Sequence, residues 1–416
     1  MRLRHLAQVN PRCAVFDGLS DDDELTFLPM EAVWPGERLD VSRRRTKAAV
    51  ATGYTRFQEG DVLVPKITPT FEAGRAVLIR GLHNGVGAGT TELHVLRAGP
   101  LIDPRFLFYV VNTHSFLKLG EAEMYGVAGQ QRVPDDFIRD LPVAMLPLDE
   151  QRRIADFLDA EVARIDHLAA RQLCMVDVLE ERRIAVTSHL VFGRDREGER
   201  RDSGIPTIGS IPAAWRSARI KTFMREVMDL SETGEEELLS VSHLTGVTPR
   251  SEKDVNMFLA ESMVGYKRCQ PGDLVINTLW AWMGALGVSR YSGIMSPAYG
   301  VYRLTSDVVD SRYLDLLVRT PEYVAEMTRF SKGVWTSRLR LYPESFLGLS
   351  IPVPSRNSQE LIVEQVARET AEQERLKSRL ESFANTLAER RQALITAAVT
   401  GQLDVTTARR TYDRDL

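Results

Sequence analysis

The chain has 416 residues, of which 44% are hydrophobic and 26% charged, with a formal net charge of −4. That length exceeds one ordinary core and predicts two to four domains. The near-neutral balance excludes a protein that holds nucleic acid by overall basicity. Residues 1–146 carry 17 Lys+Arg against 18 Asp+Glu, and residues 203–350 carry 16 against 16, so neither half hides a basic excess. The three cysteines, Cys13, Cys174 and Cys269, are too sparse for a disulfide framework or a metal-ligand spacing. No run approaches the roughly 20 apolar residues of a membrane helix. The opening MRLRHLAQVNPR lacks the apolar core of a secretory signal. A cytoplasmic location is therefore expected.

In chain order, the first 145 residues alternate short β-rich runs (VLVPKI, RAVLI, ELHVL) with Gly/Pro turns, and a helical stretch follows near Pro104–Lys118. Within them lies HNGVGAGTTELHVL, 83–96. A dinucleotide fingerprint, G-x-G-x-x-G, needs glycine at its last position and a following helix; from Gly85 that position is Thr90, and a strand-like run follows. A Walker loop needs Gly-Lys-Ser/Thr, and here Gly89 precedes two threonines. The stretch is read as a turn feeding a strand, with Thr90 and Thr91 kept as candidate contacts.

From about residue 146 the pattern changes. For some forty residues there is neither Pro nor Gly. Leu158, Val162, Ile165, Ala169, Val176, Leu179, Val186 and Leu190 follow 3-4 spacing, interrupted by Gln172 and Arg183. A narrow apolar stripe at this spacing is a coiled-coil seam. Asp149 and Glu150 favour the helix start and Gly193 the stop. Such a helix is roughly 66 Å long at about 1.5 Å per residue, which makes it a spacer. GRDREGERRDSGIP, 193–206, reads as an exposed linker.

The pattern then recurs. DLVINTL, ALGVS and AYGVYRL are β-rich, Ser311–Arg329 is helical, and a second Pro/Gly-free helix follows. Its stripe runs through Ile362, Val366, Leu376, Leu380, Phe383, Leu387 and Leu394. Gln151 matches Gln359, Ile154 matches Ile362, Glu181-Arg182-Arg183 matches Glu389-Arg390-Arg391 and Gly193 matches Gly401, all at one offset of 208 residues without a gap. GDVLV (60–64) answers GDLVI (272–276). The chain is therefore a tandem repeat of an α+β domain and a long helix, and two such helices in one chain most simply pair antiparallel.

No catalytic constellation emerges. Asn277-Thr278-Leu279-Trp280 lacks the prolines of an amino-methyltransferase motif, the seven histidines are scattered, and the acidic runs read as solvated faces. The chain is expected not to be an enzyme and to hold no cofactor or metal. What remains suits DNA. Lys66 follows VLVP, and Gln130, Gln131 and Arg132 cluster in GVAGQQRVPDDF. The second domain packs Asn277, Trp280, Trp282, Arg290, Ser296 and Tyr299 close together, followed by Lys332, Trp335, Ser337, Arg338 and Arg340, with Arg132 matching Arg340 at the 208 offset. Arg forks guanine or phosphate, Gln and Asn pair adenine edges, and hydroxyls serve either. The plain alternative for the tryptophans is core packing.

The order of GDVLVPKITPTFEAG (60–74), GTTELHVL (89–96), AGQQRVPDDFIRDLPV (128–143), LPLDEQRRIADFLDAEVARID (146–166), GDLVINTLWAWMGALGVS (272–289), GIMSPAYGVYRL (293–304), FLGLSIPVP (346–354) and ERRQALITAAVTGQLDV (389–405) resembles the specificity (S) subunits of Type I restriction–modification systems. The departure is at the second helix start, Asn357-Ser358-Gln359, where Glu-Gln is usual. The resemblance implies a first target-recognition domain at 1–145, a first conserved helix and linker at 146–198, a second recognition domain at 199–352, a second conserved helix at 353–405 and a tail at 406–416. It implies that each recognition domain reads half of a bipartite double-stranded DNA site. The paired helices would set the spacing and dock two methyltransferase (modification) subunits, which restriction/motor subunits can join. S-adenosylmethionine, ATP and Mg²⁺ would then belong to those partners. The rival readings are an enzyme, a related methyltransferase–nuclease system, or a coiled-coil adaptor without DNA readout.

Overall fold

The computed structural model describes residues 1–32, 39–126, 130–252, 262–333 and 339–405. The chain divides into two compact units: unit 1 is Met1–Leu173 with Glu381–Leu416, and unit 2 is Cys174–Leu380. The expected α+β repeat with two long helices is what the structure contains. No helix among the described residues is long and apolar enough to cross a membrane.

Unit 1 opens with β1 (Ala7–Val9), α1 (Ala14–Asp17), β2 (Glu24–Leu28), β3 (Arg44–Thr46), β4 (Thr55–Gln58), β5 (Val62–Pro65), β6 (Val77–Leu78), β7 (Val86–Gly89) and β8 (Leu93–Ala98). They form two four-stranded sheets, β1-β8-β5-β6 and β3-β2-β7-β4. The first is antiparallel throughout, and the second contains one parallel pair, β2 with β7. Strand β5 is buried along its whole length, as its unbroken apolar run requires of a central strand. Helices α2 (Pro104–Val110), α3 (His114–Ala122) and α4 (Asp135–Asp140) follow, and then α5 (Leu148–Val191).

Unit 2 contains β9 (Arg200–Asp202), β10 (Ser210–Pro212), β11 (Arg216–Arg219), β12 (Met224–Glu226), β13 (Leu239–Ser242), β14 (Gly246–Pro249), β15 (Lys267–Cys269), β16 (Leu274–Asn277), β17 (Leu286–Val288), β18 (Gly293–Met295) and β19 (Tyr299–Leu304). Then come α6 (Ser311–Val318), α7 (Pro321–Phe330), α8 (Pro343–Gly348), β20 (Ser350–Val353) and α9 (Arg356–Val399). Its main sheet, β12-β19-β16-β17, has the strand order of β1-β8-β5-β6, so the repeat is one of topology as well as sequence.

The matched residues do matching work. In unit 1 the Asp61 carboxylate accepts from Gln58 N at 2.9 Å and takes two bonds of 2.8 Å from Arg97. In unit 2 the Asp273 carboxylate accepts from Gln270 N at 2.9 Å and takes two bonds of 2.7 Å from Arg303. These are bidentate, charge-assisted pairs that tie the central strand to its neighbour. Gln151 is buried at the start of α5: its Oε1 accepts from Asp103 N at 2.9 Å, and its Nε2 donates to Leu101 O and Leu146 O. Gln359 repeats this at the start of α9, accepting from Asp310 N at 2.7 Å and donating to Val308 O and Pro354 O. Asp103 and Asp310 in turn cap α2 and α6. Each glutamine thus staples a long helix to the cap of a domain helix, which explains the 208-residue match.

Both long helices also enter the cores. Ile154, Leu158 and Val162 join Ile395, Ala398 and Val399 in the core of unit 1. Leu190 and Val191 join Ile362 and Val366 in that of unit 2. The pairing is antiparallel. Arg391 Nε lies 3.0 Å from Asp166 in unit 1, and in unit 2 Lys377 Nζ lies 3.4 Å from Glu180 and Arg183 Nε 3.6 Å from Glu374. Each step along one helix is matched by an equal step back along the other. The 208 offset also carries the Asp166–Arg391 pair onto Glu374–Arg183.

Two expected seam residues are not in the seam. Leu376 is 41% and Phe383 48% exposed. They sit one residue before Lys377 and Ala384, about 100° away around the helix. The inward line on α9 runs through Gln373, Lys377, Leu380, Ala384 and Leu387. Of the other expected seam positions, Leu158, Val162, Ile165, Leu190, Ile362, Val366 and Leu387 are buried, and Ala169, Val176, Leu179, Val186, Leu380 and Leu394 are half-buried.

The glycine-rich stretch needs a second correction. Gly85, with φ +67°, makes the turn after His83 and Asn84. Gly87 and Gly89 do not turn the chain; they lie inside β7. A Cβ on Gly87 would stand 2.2 Å from the Phe57 ring, and one on Gly89 2.5 Å from Leu28 O. These glycines are present because an aromatic ring and a neighbouring strand occupy the space of a side chain.

Candidate nucleic-acid interface

In both units the candidates gather where the central strand of the main sheet ends. In unit 1, β5 stops at Pro65 and the chain continues through Lys66 to Thr68. Lys66 N donates to Glu92 O at 2.8 Å and Val133 N donates to Lys66 O at 2.9 Å. Thr68 N donates to Gln131 O, and Gln131 N donates back to Thr68 Oγ1 at 3.2 Å. Tyr125 and Arg132 exchange backbone bonds of 3.2 and 2.9 Å, closing a hairpin whose returning arm carries Gln130 and Gln131 just before Arg132. Thr90 and Thr91 lie in the adjoining turn before β8, where Thr90 Oγ1 accepts from Glu92 N. Lys66, Thr90, Thr91, Gln130, Gln131 and Arg132 are thus brought together.

They are not equally free. The Arg132 guanidinium is committed to Glu92 at 2.9 and 3.0 Å, and this pair holds the Glu92 carboxyl below its ordinary value. Gln130 and Thr91 are exposed.

Unit 2 repeats the arrangement. Asn277 ends β16 opposite Tyr299. Thr278 O accepts from Leu341 N at 2.9 Å, and Thr278 Oγ1 donates to Ala298 O. Lys332 and Arg340 exchange two backbone bonds of 2.9 Å and close the matching hairpin. Both cations lie over the Tyr342 ring, at 5.9 and 5.4 Å. Trp335, Ser337 and Arg338 fall at 334–338, outside the described residues.

The Trp280 side chain is 51% exposed, whereas Trp282 donates its Nε1 to Leu279 O at 3.1 Å. Ser296 Oγ accepts from Ala298 N. Tyr299 packs against a small core with Val275 and Val301, and burial pushes its phenol up from its ordinary value. Arg290 belongs elsewhere: it follows Ser289, whose backbone pairs with Asp273 at the opposite end of β16 from Asn277.

Other cations were missed. A cleft of about 640 Å³ in unit 1 is lined by Arg12, Tyr54, Thr55, Arg56 and Lys66, among others. Beside it, β3 exposes Arg44 and Arg45. The run Arg43-Arg44-Arg45-Thr46-Lys47 was the available signal.

Buried beneath the hairpin, the His94 Nδ1 lies 3.1 Å from Asp135 and its Nε2 3.0 Å from Val133 O. Burial dominates the nearby carboxylate and pushes the ring down to about 4. Among the described residues no group of three or more His, Cys, Asp or Glu could hold a metal ion.

No family model matches the chain. It is 37% identical over 183 residues to the Type I restriction enzyme EcoAI specificity subunit of Escherichia coli, and 36% identical over 185 residues to the EcoEI specificity subunit of the same organism. Its homologues are Type I restriction enzyme specificity subunits. Each match covers 43% of this chain and 30% of the relative, so it spans under a third of each specificity subunit's own length. A solved chain from work on complex assembly and conformational transition of the type I restriction–modification system superposes with a TM-score of 0.68 at 18% identity, covering 97% of both chains. This chain therefore shares the fold of that solved chain along nearly its whole length.

Proposed function

We propose that this chain is the non-catalytic DNA-recognition subunit of a Type I restriction–modification complex, with each unit reading one half of a bipartite site. The observation that carries this reading is the duplication. Two units with one sheet topology each gather Gln, Asn, Arg or Lys candidates near the end of the central strand. The linking helices pair in a defined antiparallel register. Because B-DNA repeats every 10–10.5 bp or so, a rigid spacer sets both the separation and the rotational phase of two half-sites.

The same helices suit two copies of one partner. Met175 is 50% and Phe383 48% exposed, and the two are mates at the 208 offset, as are the half-buried Leu168 and the 41% exposed Leu376. Each helix therefore offers an equivalent apolar pair to solvent, suited to two methyltransferase subunits. Those partners would bind S-adenosylmethionine and flip out the target base, and restriction/motor subunits would use ATP and Mg²⁺. The near-neutral charge fits a chain whose partners help close around DNA.

The test is exchange of residues 1–145 for the corresponding part of a relative of different specificity, with methylated sites mapped in cells. One half of the motif should change and the other persist. A change in both halves, or in neither, contradicts independent half-site reading.

A further inference from the structure

Strand β3 and the cleft beside β4 hold a set of cations that base reading by the two hairpins does not use. Residues 41–58 contain five Lys/Arg and no Asp/Glu. The Arg45 guanidinium lies 3.9 Å over the Phe27 ring and donates to the Tyr54 hydroxyl at 3.2 Å. Phe27 and Tyr54 themselves pack edge to face at 5.4 Å. The Arg56 guanidinium lies 4.0 Å over the Phe16 ring and donates to the Ala51 carbonyl. Stacking on a ring leaves the edge of a guanidinium free for further donation and fixes its direction, so little side-chain entropy is lost when an anion binds.

The carboxylates around this set are few and loosely held. Asp17 stands 3.8 Å from Arg56, Glu24 stands 4.0 Å from Arg44, and Glu31 occupies Arg43 at 3.2 Å. Arg12, Arg45 and Lys66 have no ion pair within 4 Å among the described residues. Arg12, Arg56 and Lys66 line one open cleft, with Tyr54 between them and Arg45. Its lining is polar and cationic rather than a shaped apolar pocket, which suits a charged polymer better than a small molecule.

We propose that this cleft seats the phosphodiester backbone of DNA, with Arg12, Arg45 and Arg56 as phosphate contacts that set the register of unit 1 on the duplex without reading bases. The assignment rests on the DNA-recognition reading above. The corresponding insertion of unit 2, between β12 and β16, begins with six carboxylates and no cation at 226–237. There Glu236 is held down to about 2 by its hydrogen bond from Ser231 and its pairing with Arg268. The phosphate anchor of unit 1 is thus concealed by the near-neutral net charge of the chain.

The experiment uses the chain assembled with its modification subunits. Binding is measured by fluorescence anisotropy from about 50 to 200 mM NaCl, on a duplex carrying the mapped motif and on a scrambled duplex. The variants are R12Q/R56Q and R12Q/R45Q/R56Q; the double variant leaves the stacked Arg45 in place in case the triple fails to fold. Each lost phosphate contact should reduce the slope of log K against log salt by about 0.9, so the double variant loses about 2. Both duplexes should weaken together, with the methylated motif unchanged. An unaltered slope overturns the proposal, and so does a changed motif with the slope retained. If the wild-type complex binds neither duplex, the DNA-recognition reading itself fails, a result separable from failure of the cleft.

Discussion

Gln359 is fully buried and makes three hydrogen bonds, of 2.7, 2.9 and 3.0 Å, that join the start of α9 to the cap of α6. Gln359→Leu keeps nearly the same volume but orphans Asp310 N, Val308 O and Pro354 O. Each buried polar group left without a partner costs about 1–3 kcal/mol, and the added apolar burial returns only part of this. The net loss should be about 3–5 kcal/mol for unit 2. Four of the five tryptophans lie in residues 174–380, so tryptophan emission during urea unfolding reports mainly on that unit. The midpoint should fall sharply. Gln151→Leu, which breaks three bonds of the same kind in unit 1, should lose a similar amount while leaving most of the tryptophan transition in place. A loss below about 1 kcal/mol for either variant would refute the reasoning that these glutamines are structural staples.

Gly87→Val should destabilise unit 1 by about 2–4 kcal/mol in denaturant unfolding, because its Cβ would strike the Phe57 ring. Gly85→Ala meets open space and should cost only about 1 kcal/mol, from its positive φ; equal losses would contradict the assignment of one turn glycine and one packing glycine. His94 is held down to about 4, below its unfolded value, so the folded state takes up fewer protons. Its stabilising contribution is complete above about pH 6.5 and is lost as pH falls toward 4. Unit 1 should lose roughly 2 kcal/mol between pH 7 and 5 at about 1.4 kcal/mol per pKa unit, and His94→Gln should flatten that dependence. Arg391→Glu sets like charges beside Asp166 and should lower stability by about 0.5–1 kcal/mol, with the exchanged pair D166R/R391D restoring it. No recovery in the exchanged pair would mean that this contact does not hold the helix register.

Much of this architecture is legible in the sequence because the duplication exposes it. Gln151 and Gln359 stand out through their common offset, and the structure gives the reason: identical hydrogen bonds at identical junctions. The Pro/Gly-free helices and the GDVLV and GDLVI strands are likewise visible from composition and spacing. Leu376 and Phe383 lie off the seam because apolar character does not fix inward direction: the inward line accepts Lys377 and Gln373, with Lys377 neutralised by Glu180 across the pair. Gly87 and Gly89 resemble turn glycines in sequence because a close approach by Phe57, thirty residues from Gly87, leaves no local trace. The clusters around Arg132 and Arg340 are visible from residue type, but the hairpins that Tyr125–Arg132 and Lys332–Arg340 close are not. That Arg132 is already bound to Glu92, forty residues upstream, follows only from the folded geometry. The cationic cleft is invisible in charge totals over whole domains, where Asp21–Glu24 cancels Arg43–Lys47.

The central claim is that this chain chooses the DNA sequence its complex modifies. Long-read methylation mapping of cells with the gene intact, deleted and restored tests it most directly. The account predicts a two-part asymmetric motif with a fixed gap that disappears on deletion and returns on restoration. A methylation pattern indifferent to the gene would contradict it.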